Sequence, residues 1–380
     1  MTLHRVSGSK RSVDGSRRRG RRAMLGLAGA SILAVAAVTV PAYADGADAD
    51  AAFQVGVTHE RYSADWWGEE QAVADAREIL SSVGPLQNQH LMGFGAENPW
   101  PAANSSARDW GSLDERIELI EATGGTPVVT LCCAPGWMTP SGEDWPDAYE
   151  APQPQFYDEY AQLSAEAAAR YPQVEYFQVW NEFKGFWNED LNRWDHEGYT
   201  ELYNLVYAAV KEVRPDAKIG GPYVSLNSFQ DCAHDCSDLE GSWGTADRRD
   251  LDAMEYWLAN ADGAEFFTVD AWSSTNDGYH PAAAGVYEKF RDVTEWITAR
   301  TDLPVWWSEF YAPASSADES SSVALMRAAI EGMRDGGAAV ALLWSPECQS
   351  ELPCLWTATG AAGGGQATEY VPLIREFSAR

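Results

Sequence analysis

Short apolar runs of strand length alternate along the chain with longer segments of helical periodicity, and this alternation occurs eight times. Runs such as 126–131 and 338–343 are almost continuously apolar, which is typical of parallel strands buried on both faces. The predicted strands begin at Phe53, Gln89, Thr126, Val174, Lys218, Phe266, Leu303 and Ala338. The predicted helices span residues 69–82, 113–122, 155–169, 199–213, 250–260, 286–299, 321–335 and 369–378.

Eight strand–helix units in about 330 residues match the (β/α)8 barrel, or TIM barrel, in number, order and size. The competing α/β architecture is the doubly wound open sheet, which usually carries a glycine-rich phosphate loop after its first strand. Residues 56–60 (GVTHE) follow the first predicted strand here and lack that loop. The sequence therefore predicts a single-domain (β/α)8 barrel over residues 53–380.

Residues 1–44 have the pattern of an export signal that is removed from the mature protein. A basic stretch precedes the apolar run 24–40, and residues 42–44 (AYA) fit a cleavage site. Arg21 and Arg22, followed by an apolar residue and Leu25, resemble the twin-arginine type. The alternative is a transmembrane anchor, but an apolar run of about 17 residues is short for one. We expect a secreted, extracellular protein with a flexible lead-in at 45–52 and no membrane partner after cleavage.

Single glutamates end the predicted fourth and seventh strands, at Glu182 and Glu309. In a parallel barrel the catalytic groups lie at the carboxyl ends of the strands. Two carboxylates there are the minimum needed to cleave a glycosidic bond, because one protonates the leaving oxygen and the other attacks or activates water. Either glutamate alone could be a helix cap or a loop acid. Together at these strand ends they predict a glycosidase, and its chemistry requires no cofactor.

The sequence at these strand ends resembles clan A of the glycoside hydrolases, which are retaining glycosidases on a (β/α)8 barrel. In that clan an Asn-Glu pair ends strand four and a glutamate ends strand seven, as Asn181, Glu182 and Glu309 do here. The resemblance implies that Glu182 is the acid/base and Glu309 the nucleophile. It also implies that Asn181 hydrogen-bonds the 2-hydroxyl of the sugar.

Three segments further resemble glycoside hydrolase family 39, which includes β-xylosidases and α-L-iduronidases. They are 181–187 (NEFKGFW), 199–203 (YTELY) and 218–222 (KIGGP). Their resemblance implies a pentoside substrate, either a β-xyloside or an arabinoside. Phe183 stands where family members commonly have proline, and 269–274 (VDAWSS) replaces a histidine-rich ending of strand six. These departures concern the substrate more than the mechanism.

The two proposed roles require opposite charge states. A general acid must hold its proton near neutral pH, and the neighbouring Trp180 and Phe183 predict an apolar setting that raises the pKa of Glu182. The nucleophile must stay ionised and be fixed by hydrogen-bond donors. Tyr279, His280 and Asn181 are the candidate donors for Glu309.

Other polar and aromatic residues at predicted strand ends are candidate sugar contacts, because sugar rings stack on aromatic faces while their hydroxyls bond polar groups. They are His59 after strand one, Glu97 and Asn98 after strand two, Trp137 after strand three and Trp344 at the end of strand eight. About half of the 17 tryptophans are expected to pack in the core instead.

Acidic residues dominate the chain, which has 57 Asp and Glu against 27 Lys and Arg, a net charge of −30. Without residues 1–44 the counts become 56 and 19, a net charge of −37. Such a surface repels nucleic acid and anionic membranes, and we expect neither as a partner. No basic cluster follows residue 44 to bind an acidic polysaccharide, so a neutral oligo- or polysaccharide is the expected partner.

Six cysteines suit an exported protein, since disulfides persist outside the cell. They form three close pairs: Cys132 and Cys133, Cys232 and Cys236, and Cys348 and Cys354. The second and third pairs lie in loop-like sequence and are predicted to form local disulfides. A metal site at 232–236 is disfavoured because its spacing differs from that of structural zinc sites. The adjacent first pair forms either a vicinal disulfide or two buried thiols.

Other functions share the same carboxylates or the same barrel. A transglycosylase would use the same covalent intermediate, with a sugar acceptor in place of water. A hydrolase of a hexose glycan would use the same barrel. A non-catalytic sugar-binding barrel is the alternative of a different class, and the two glutamates disfavour it.

Overall fold

A computed structural model describes residues 53–60, 63–65, 67–144, 150–232, 235–312, 319–349 and 352–378. The predicted export segment and lead-in, residues 1–52, lie outside the described residues. Eight parallel strands close into a barrel, and a helix follows each strand along the chain, so the predicted (β/α)8 barrel is confirmed.

The barrel strands are β1 (Gln54–Thr58), β2 (Leu86–His90), β3 (Thr126–Leu131), β4 (Tyr176–Val179), β5 (Lys218–Ser225), β6 (Phe266–Trp272), β7 (Val305–Tyr311) and β8 (Ala338–Trp344). The helices are α1 (Glu70–Val83), α2 (Gly111–Ala122), α3 (Tyr157–Arg170), α4 (His196–Val213), α5 (Arg248–Asn260), α6 (Ala283–Thr298), α7 (Glu319–Asp335) and α8 (Tyr370–Phe377). None of the helices in the described part of the chain is long and apolar enough to cross a membrane.

Strand β2 begins at Leu86, three residues before the predicted start at Gln89. The polar residues Gln87 and Asn88 break the apolar pattern there, yet both are fully buried. Burial is tolerated because their amides are hydrogen-bonded, for example from Gln87 to the Thr123 hydroxyl at 3.0 Å. Because these buried residues are polar, the apolar pattern did not reveal the start of this strand.

Five buried polar residues form a hydrogen-bonded ring across the barrel, just before the carboxyl ends of the strands. This polar ring consists of Thr58, Asn88, Thr130, Gln178 and Ser308. The Asn88 amide donates to the Thr58 hydroxyl at 3.2 Å, and the Thr130 hydroxyl donates to Asn88 at 2.9 Å. The Gln178 amide donates to Thr130 at 3.1 Å, and the Ser308 hydroxyl donates to Gln178. The Thr58 hydroxyl closes the ring on the Ser308 carbonyl at 2.9 Å.

An apolar layer fills the barrel interior together with the polar ring. Its buried side chains are Leu86, Val128, Phe266, Trp306, Val340 and Leu342. Aromatic contact contributes to this layer, since the rings of Phe266 and Trp306 have centroids 4.4 Å apart and are tilted by 32°. The barrel is thus a filled core, and functional groups of such barrels lie at the carboxyl ends of the strands.

Two β-bulges change the register at the carboxyl ends of β5 and β7. Val269 of β6 pairs with Trp307 and Asp270 pairs with Glu309, which leaves one extra residue in β7. On the other side, β5 carries the extra residue Tyr223, whose φ is +56°. Bulges bend a strand and re-aim its side chains, and they are common beside active sites. Here they bring the side chains of Tyr223 and Glu309 into contact.

Short strands extend the chain beyond the ends of β4, β5 and β8. They comprise the pair Trp187–Asn188 and Arg193–Trp194, the sheet of Ser228–Phe229, Cys236–Gly241 and Gly244–Asp247, and the pair Glu347–Cys348 and Trp356–Thr357. The structure joins the cysteines in three disulfides: Cys132–Cys133, Cys232–Cys236 and Cys348–Cys354. The vicinal pair follows β3 and is almost fully buried.

Candidate active site

Three carboxylates meet at the carboxyl ends of β4, β6 and β7. They belong to Glu182, Asp270 and Glu309, and one oxygen of each lies within 4.8 Å of an oxygen of the others. Asp270 and Glu309 are buried, and the side chain of Glu182 is 11 % exposed. Like charges this close in a site of low polarity cannot all be ionised, so the group must hold protons near neutral pH.

The backbone around Glu182 adopts an unusual conformation. Trp180, Glu182 and Phe183 have φ angles of +69°, +52° and +55°, a region that non-glycine residues rarely adopt. Aromatic packing holds the turn, because the Phe183 ring stacks on Tyr199 with centroids 4.0 Å apart. The Trp180 indole also donates to the carbonyl of Lys184 at 2.8 Å. Strain of this kind persists only where the surrounding structure enforces it, and it is concentrated at functional sites.

Two tyrosine hydroxyls hold Glu309. Tyr223 donates to Oε1 at 2.5 Å, and Tyr311 donates to Oε2. These residues occupy the donor positions that the sequence analysis assigned to Tyr279 and His280. Tyr279 donates instead to the carbonyl of Ser242 at 3.3 Å, and His280 is exposed. The correction has a physical reason, because 275–279 forms its own turn through the Thr275 hydroxyl.

Glu182 forms an ion pair with Lys184, whose side chain is 35 % exposed. Burial alone would raise the pKa of Glu182, but the Lys184 ammonium and hydrogen bonds from Asp270 and Ser225 lower it below the ordinary value. Burial, followed by the charges of Glu182 and Glu309, raises the pKa of Asp270 well above its ordinary value. The setting therefore favours the proton on Asp270 and the negative charge on Glu182.

Glu309 also retains a proton near neutral pH. Burial and the charge of Glu182 raise its pKa to about 8, although Lys184 and the hydroxyls of Tyr223 and Tyr311 oppose this. The resting distribution is the reverse of the expected one, in which Glu182 is protonated and Glu309 ionised. The reason is Lys184, which follows Glu182 by two residues and stabilises its charge. Catalysis in the expected roles thus requires one proton to move from Glu309 to Glu182 when substrate binds.

The buried Glu309 should make stability depend on pH. Its pKa is about 8 in the folded protein and near 4.5 in the unfolded chain. A raised folded-state pKa stabilises the protein fully below pH 4.5, and this stabilisation is lost as the pH rises through 8. Because Gln cannot ionise, Glu309→Gln should gain free energy of unfolding over wild type between those pH values, by about 2 to 4 kcal/mol.

Thermal melts of wild type and Glu309→Gln at several pH values measure this difference as a widening gap in Tm. Glu97→Gln is the matched control, since it removes one negative charge from an exposed position. A gap that stays constant between pH 4.5 and 8 would show that Glu309 ionises normally in the folded protein.

Asn181 and Trp344 lie beside the carboxylates. The buried amide oxygen of Asn181 accepts no hydrogen bond from the described residues, which leaves it available to a ligand. Its side chain faces His90, where burial and the nearby Lys184 lower the pKa of the imidazole to about 3. The ring of Trp344 meets His90 edge-on, with centroids 6.2 Å apart, and lies 6.3 Å from the ring of Tyr311. Asn181 and Trp344, both predicted sugar contacts, therefore lie in the same region as the catalytic candidates.

His59 serves the scaffold. Both ring nitrogens are hydrogen-bonded, Nδ1 to the Ser63 hydroxyl at 2.7 Å and Nε2 to Gln87 at 3.0 Å. The residue is fully buried, and burial lowers its pKa to about 3. With both nitrogens occupied, the imidazole has no group to offer a sugar.

Three further predicted contacts stabilise the loops after β2 and β3. The Asn98 amide donates to Asp144 at 2.9 Å, and the Trp137 indole donates to the Trp100 carbonyl at 2.9 Å. Glu97 is exposed, and its backbone N–H donates to the Ser112 hydroxyl at 2.7 Å. The hydrogen bonds of Asn98 and Trp137 thus lie within these loops, and contact of the three side chains with a sugar stays a prediction.

Trp272 ends β6 as an aromatic platform that the sequence analysis did not select. It is 43 % exposed, yet it stacks on Tyr311 with centroids 4.6 Å apart and an interplanar angle of 15°. The buried ammonium of Lys289 donates to its carbonyl at 2.7 Å. An exposed aromatic ring that is already fixed loses little entropy when a sugar stacks on it.

Four residues around the carboxylates were not predicted from the sequence: Asp270, Tyr223, Tyr311 and Lys184. Asp270 carries a visible signal, since it is an acid inside the apolar run 266–272. Tyr311 lies two residues after Glu309 and thus on the same side of a strand. Tyr223 has no comparable signal, because only the bulge in β5 directs it to Glu309.

The three carboxylates are also close enough to be considered as metal ligands. Their donor set fits poorly, because both oxygens of Glu309 already accept tyrosine hydroxyls and Glu182 is paired with Lys184. A cation would have to compete with a resident ammonium and two hydroxyl donors. The arrangement suits proton transfer better than metal ligation.

Comparison with solved structures identifies barrels of the same fold. A monomeric β-xylosidase from Caulobacter crescentus CB15 aligns with a TM-score of 0.57 at 16 % identity, over 86 % of this chain and 68 % of that chain. The GH39 enzyme from Xanthomonas axonopodis pv. citri aligns with a TM-score of 0.57 at 17 % identity, over 85 % and 65 %. An endo-1,4-β-D-mannanase from Thermotoga petrophila RKU-1 aligns with a TM-score of 0.55 at 13 % identity, over 86 % and 99 %.

The chain thus spans about two thirds of the length of the first two of these proteins. No protein-family model matches the sequence, and no curated protein matches it. At these identities the likenesses show a common fold, that of β-xylosidase, GH39 and mannanase barrels.

Proposed function

We propose that this protein is a retaining glycoside hydrolase of clan A, similar to family 39. The observation that carries the proposal is the pair Glu182 and Glu309 at the ends of β4 and β7, with carboxylate oxygens within 4.8 Å of each other. Retaining enzymes hold their two carboxyl groups about 5 to 5.5 Å apart, whereas inverting enzymes need roughly 6.5 to 9.5 Å to admit water. The short separation supports direct attack by one carboxylate.

In the first step the ionised Glu309 attacks the anomeric carbon while Glu182 protonates the glycosidic oxygen. The bond between that carbon and oxygen breaks, its electron pair stays on the oxygen, and the leaving group departs as an alcohol. Tyr223 and Tyr311 fix Glu309 for this attack through its two oxygens. Substrate that separates Lys184 from Glu182 would raise the pKa of Glu182 and allow it to take the proton.

In the second step Glu182 takes a proton from water, and the resulting hydroxide displaces Glu309 from the sugar. Two inversions at the same carbon give net retention. The unpartnered amide oxygen of Asn181 is available to accept a hydrogen bond from a sugar hydroxyl. Trp344 and Trp272 both lie near the ring of Tyr311 and provide aromatic surface for sugar stacking.

We favour a neutral pentoside, a β-xyloside or arabinoside, as the substrate. One of the similar structures is described as a monomeric β-xylosidase, and the acidic surface disfavours anionic glycans. A hexose glycan is the second candidate, because the mannanase barrel is matched over 99 % of its length. We further propose export to the extracellular space, on the basis of the basic and apolar pattern of residues 1–44.

A panel of aryl glycosides of xylose, arabinose, galactose, glucose and mannose tests the function. We expect turnover of a pentoside, with the first product detected by proton NMR having the anomeric configuration of the substrate. An initial product of opposite configuration would refute the retaining mechanism. Added alcohol acceptors separate hydrolysis from transglycosylation, since a transglycosylase would release mainly alkyl glycoside.

A further inference from the structure

Asp270 is the third carboxyl of the site, and the two-glutamate mechanism does not use it. Its register places it opposite Glu309 on β7 and Ser225 on β5, directly beside both neighbouring strand ends. It is fully buried. A buried carboxyl needs hydrogen-bond partners, and one without them usually has a functional reason.

No N–H or hydroxyl among the described residues donates to the Asp270 oxygens. The carboxyl of Glu182 lies beside Asp270, with oxygens of the two residues within 4.8 Å of each other, and after burial its charge contributes most to the raised pKa of Asp270. Two carboxyls can form a hydrogen bond only when one of them carries a proton. Since Glu182 is the one paired with Lys184, the shared proton belongs on Asp270.

We propose that Asp270 is a positioning residue that shares a proton with Glu182 and keeps the general acid supplied near neutral pH. This inference rests on the proposed function. As the glycosidic oxygen takes a proton from Glu182, the O–H bond of Asp270 breaks and its proton moves to the other oxygen of Glu182. Asp270 is left as a carboxylate, and no electrons are exchanged between the groups. When water attacks, its proton returns through Glu182 to Asp270.

Other charged or titratable groups face this carboxyl and set its proton affinity. They are Glu182 and Lys184 after β4, Tyr223 on β5, and Glu309 and Tyr311 on β7. Of these, Lys184 is the positive charge, and it favours ionisation of Asp270. Burial and the negative charges of Glu182 and Glu309 outweigh the positive charge of Lys184, so the pKa of Asp270 stays raised.

Asp270→Asn is the test variant, because its amide keeps the shape and one donor but removes the transferable proton. We expect kcat of Asp270→Asn on an aryl glycoside to stay within about tenfold of wild type at acidic pH. The pH at which kcat/KM declines on the alkaline side (the alkaline limb) should fall by about one unit. The reason is that the site then has one fewer carboxyl to keep the proton that Glu182 donates. Asp270→Ala also loses the donor, and its kcat should fall about 10- to 100-fold.

Asp250→Asn is the matched control, since Asp250 is also fully buried and has a pKa raised to about 7. Its carboxylate accepts from the Trp194 indole at 2.6 Å and the Asn227 N–H at 2.6 Å, outside the catalytic group. The alkaline limb should keep its position in this variant. If the alkaline limb keeps its position in Asp270→Asn as well, the inference is overturned. A rise in KM alone would also overturn it, because it would mean that Asp270 contacts substrate.

Infrared spectroscopy tests the shared proton without substrate or turnover. Glu309 and Asp250 contribute protonated carboxyl bands to both proteins near neutral pH, so the readout is the difference spectrum of wild type minus Asp270→Asn. That difference should contain a protonated carboxyl band at neutral pH, and a difference spectrum without one would overturn the inference. Absence of wild-type activity on every glycoside would instead refute the proposed function. The two failures are therefore distinguishable.

Discussion

Replacing Glu309 by glycine should lower kcat/KM by at least about 10⁴-fold, because the covalent intermediate cannot form without its carboxylate. Steady-state kinetics on the best aryl glycoside measures this loss. Added azide should restore turnover, since a small anion fits the space left beside the hydroxyls of Tyr223 and Tyr311. The product should be a glycosyl azide of inverted configuration, because only one displacement occurs.

Glu309→Gln is the matched control for azide rescue. Its side chain fills the space that glycine leaves empty, so azide should not restore its activity. Residual activity of Glu309→Gly within tenfold of wild type, without azide, would exclude Glu309 as the nucleophile. Rescue with retained configuration would point to the other carboxylate.

Glu182→Ala should show a loss of activity that depends on the leaving group. General acid catalysis contributes about 10²- to 10⁴-fold for a poor leaving group, and we expect that loss for alkyl or natural glycosides. An activated dinitrophenol leaves without a proton, so the first step should survive. The second step still lacks its base, and stopped-flow measurements should reveal a burst of released phenol followed by slow turnover.

Azide should accelerate the slow second step of Glu182→Ala and give a glycosyl azide of retained configuration. Glu97→Ala removes an exposed glutamate away from the three carboxylates and is the control for loss of one acidic side chain. An equal loss for all leaving groups would contradict the acid/base role of Glu182.

The fold and the two catalytic candidates could be predicted because they depend on local patterns. Apolar runs define the strands, and a single acid after such a run, as at Glu182 and Glu309, is visible in the sequence. The same logic was available for Asp270 in the run 266–272, where the acid lies inside the run and not at its end. A buried acid within a strand is therefore as informative as one that follows it.

The remainder of the site depends on geometry that periodicity does not encode. Tyr223 reaches Glu309 only because a bulge shifts β5 by one residue, whereas Tyr279 and His280 lie in a turn that closes on itself. The proton distribution depends on charges from three strand ends together with Lys184. These charges come from separate segments of the chain, so the pKa values cannot be predicted from any one of them.

The polar ring ties the position of Glu309 to contacts between strands that are far apart in the sequence. Its members come from the first four strands and from β7, and the contacts of Ser308 with Thr58 and Gln178 join residues 250 and 130 positions apart. Glu309 follows Ser308 directly, so this carboxylate reaches its place only when strands β1 and β7, which are distant in the sequence, have come together. Recovery of activity during refolding would then report closure of the barrel, and it should follow the spectroscopic signals of helix formation.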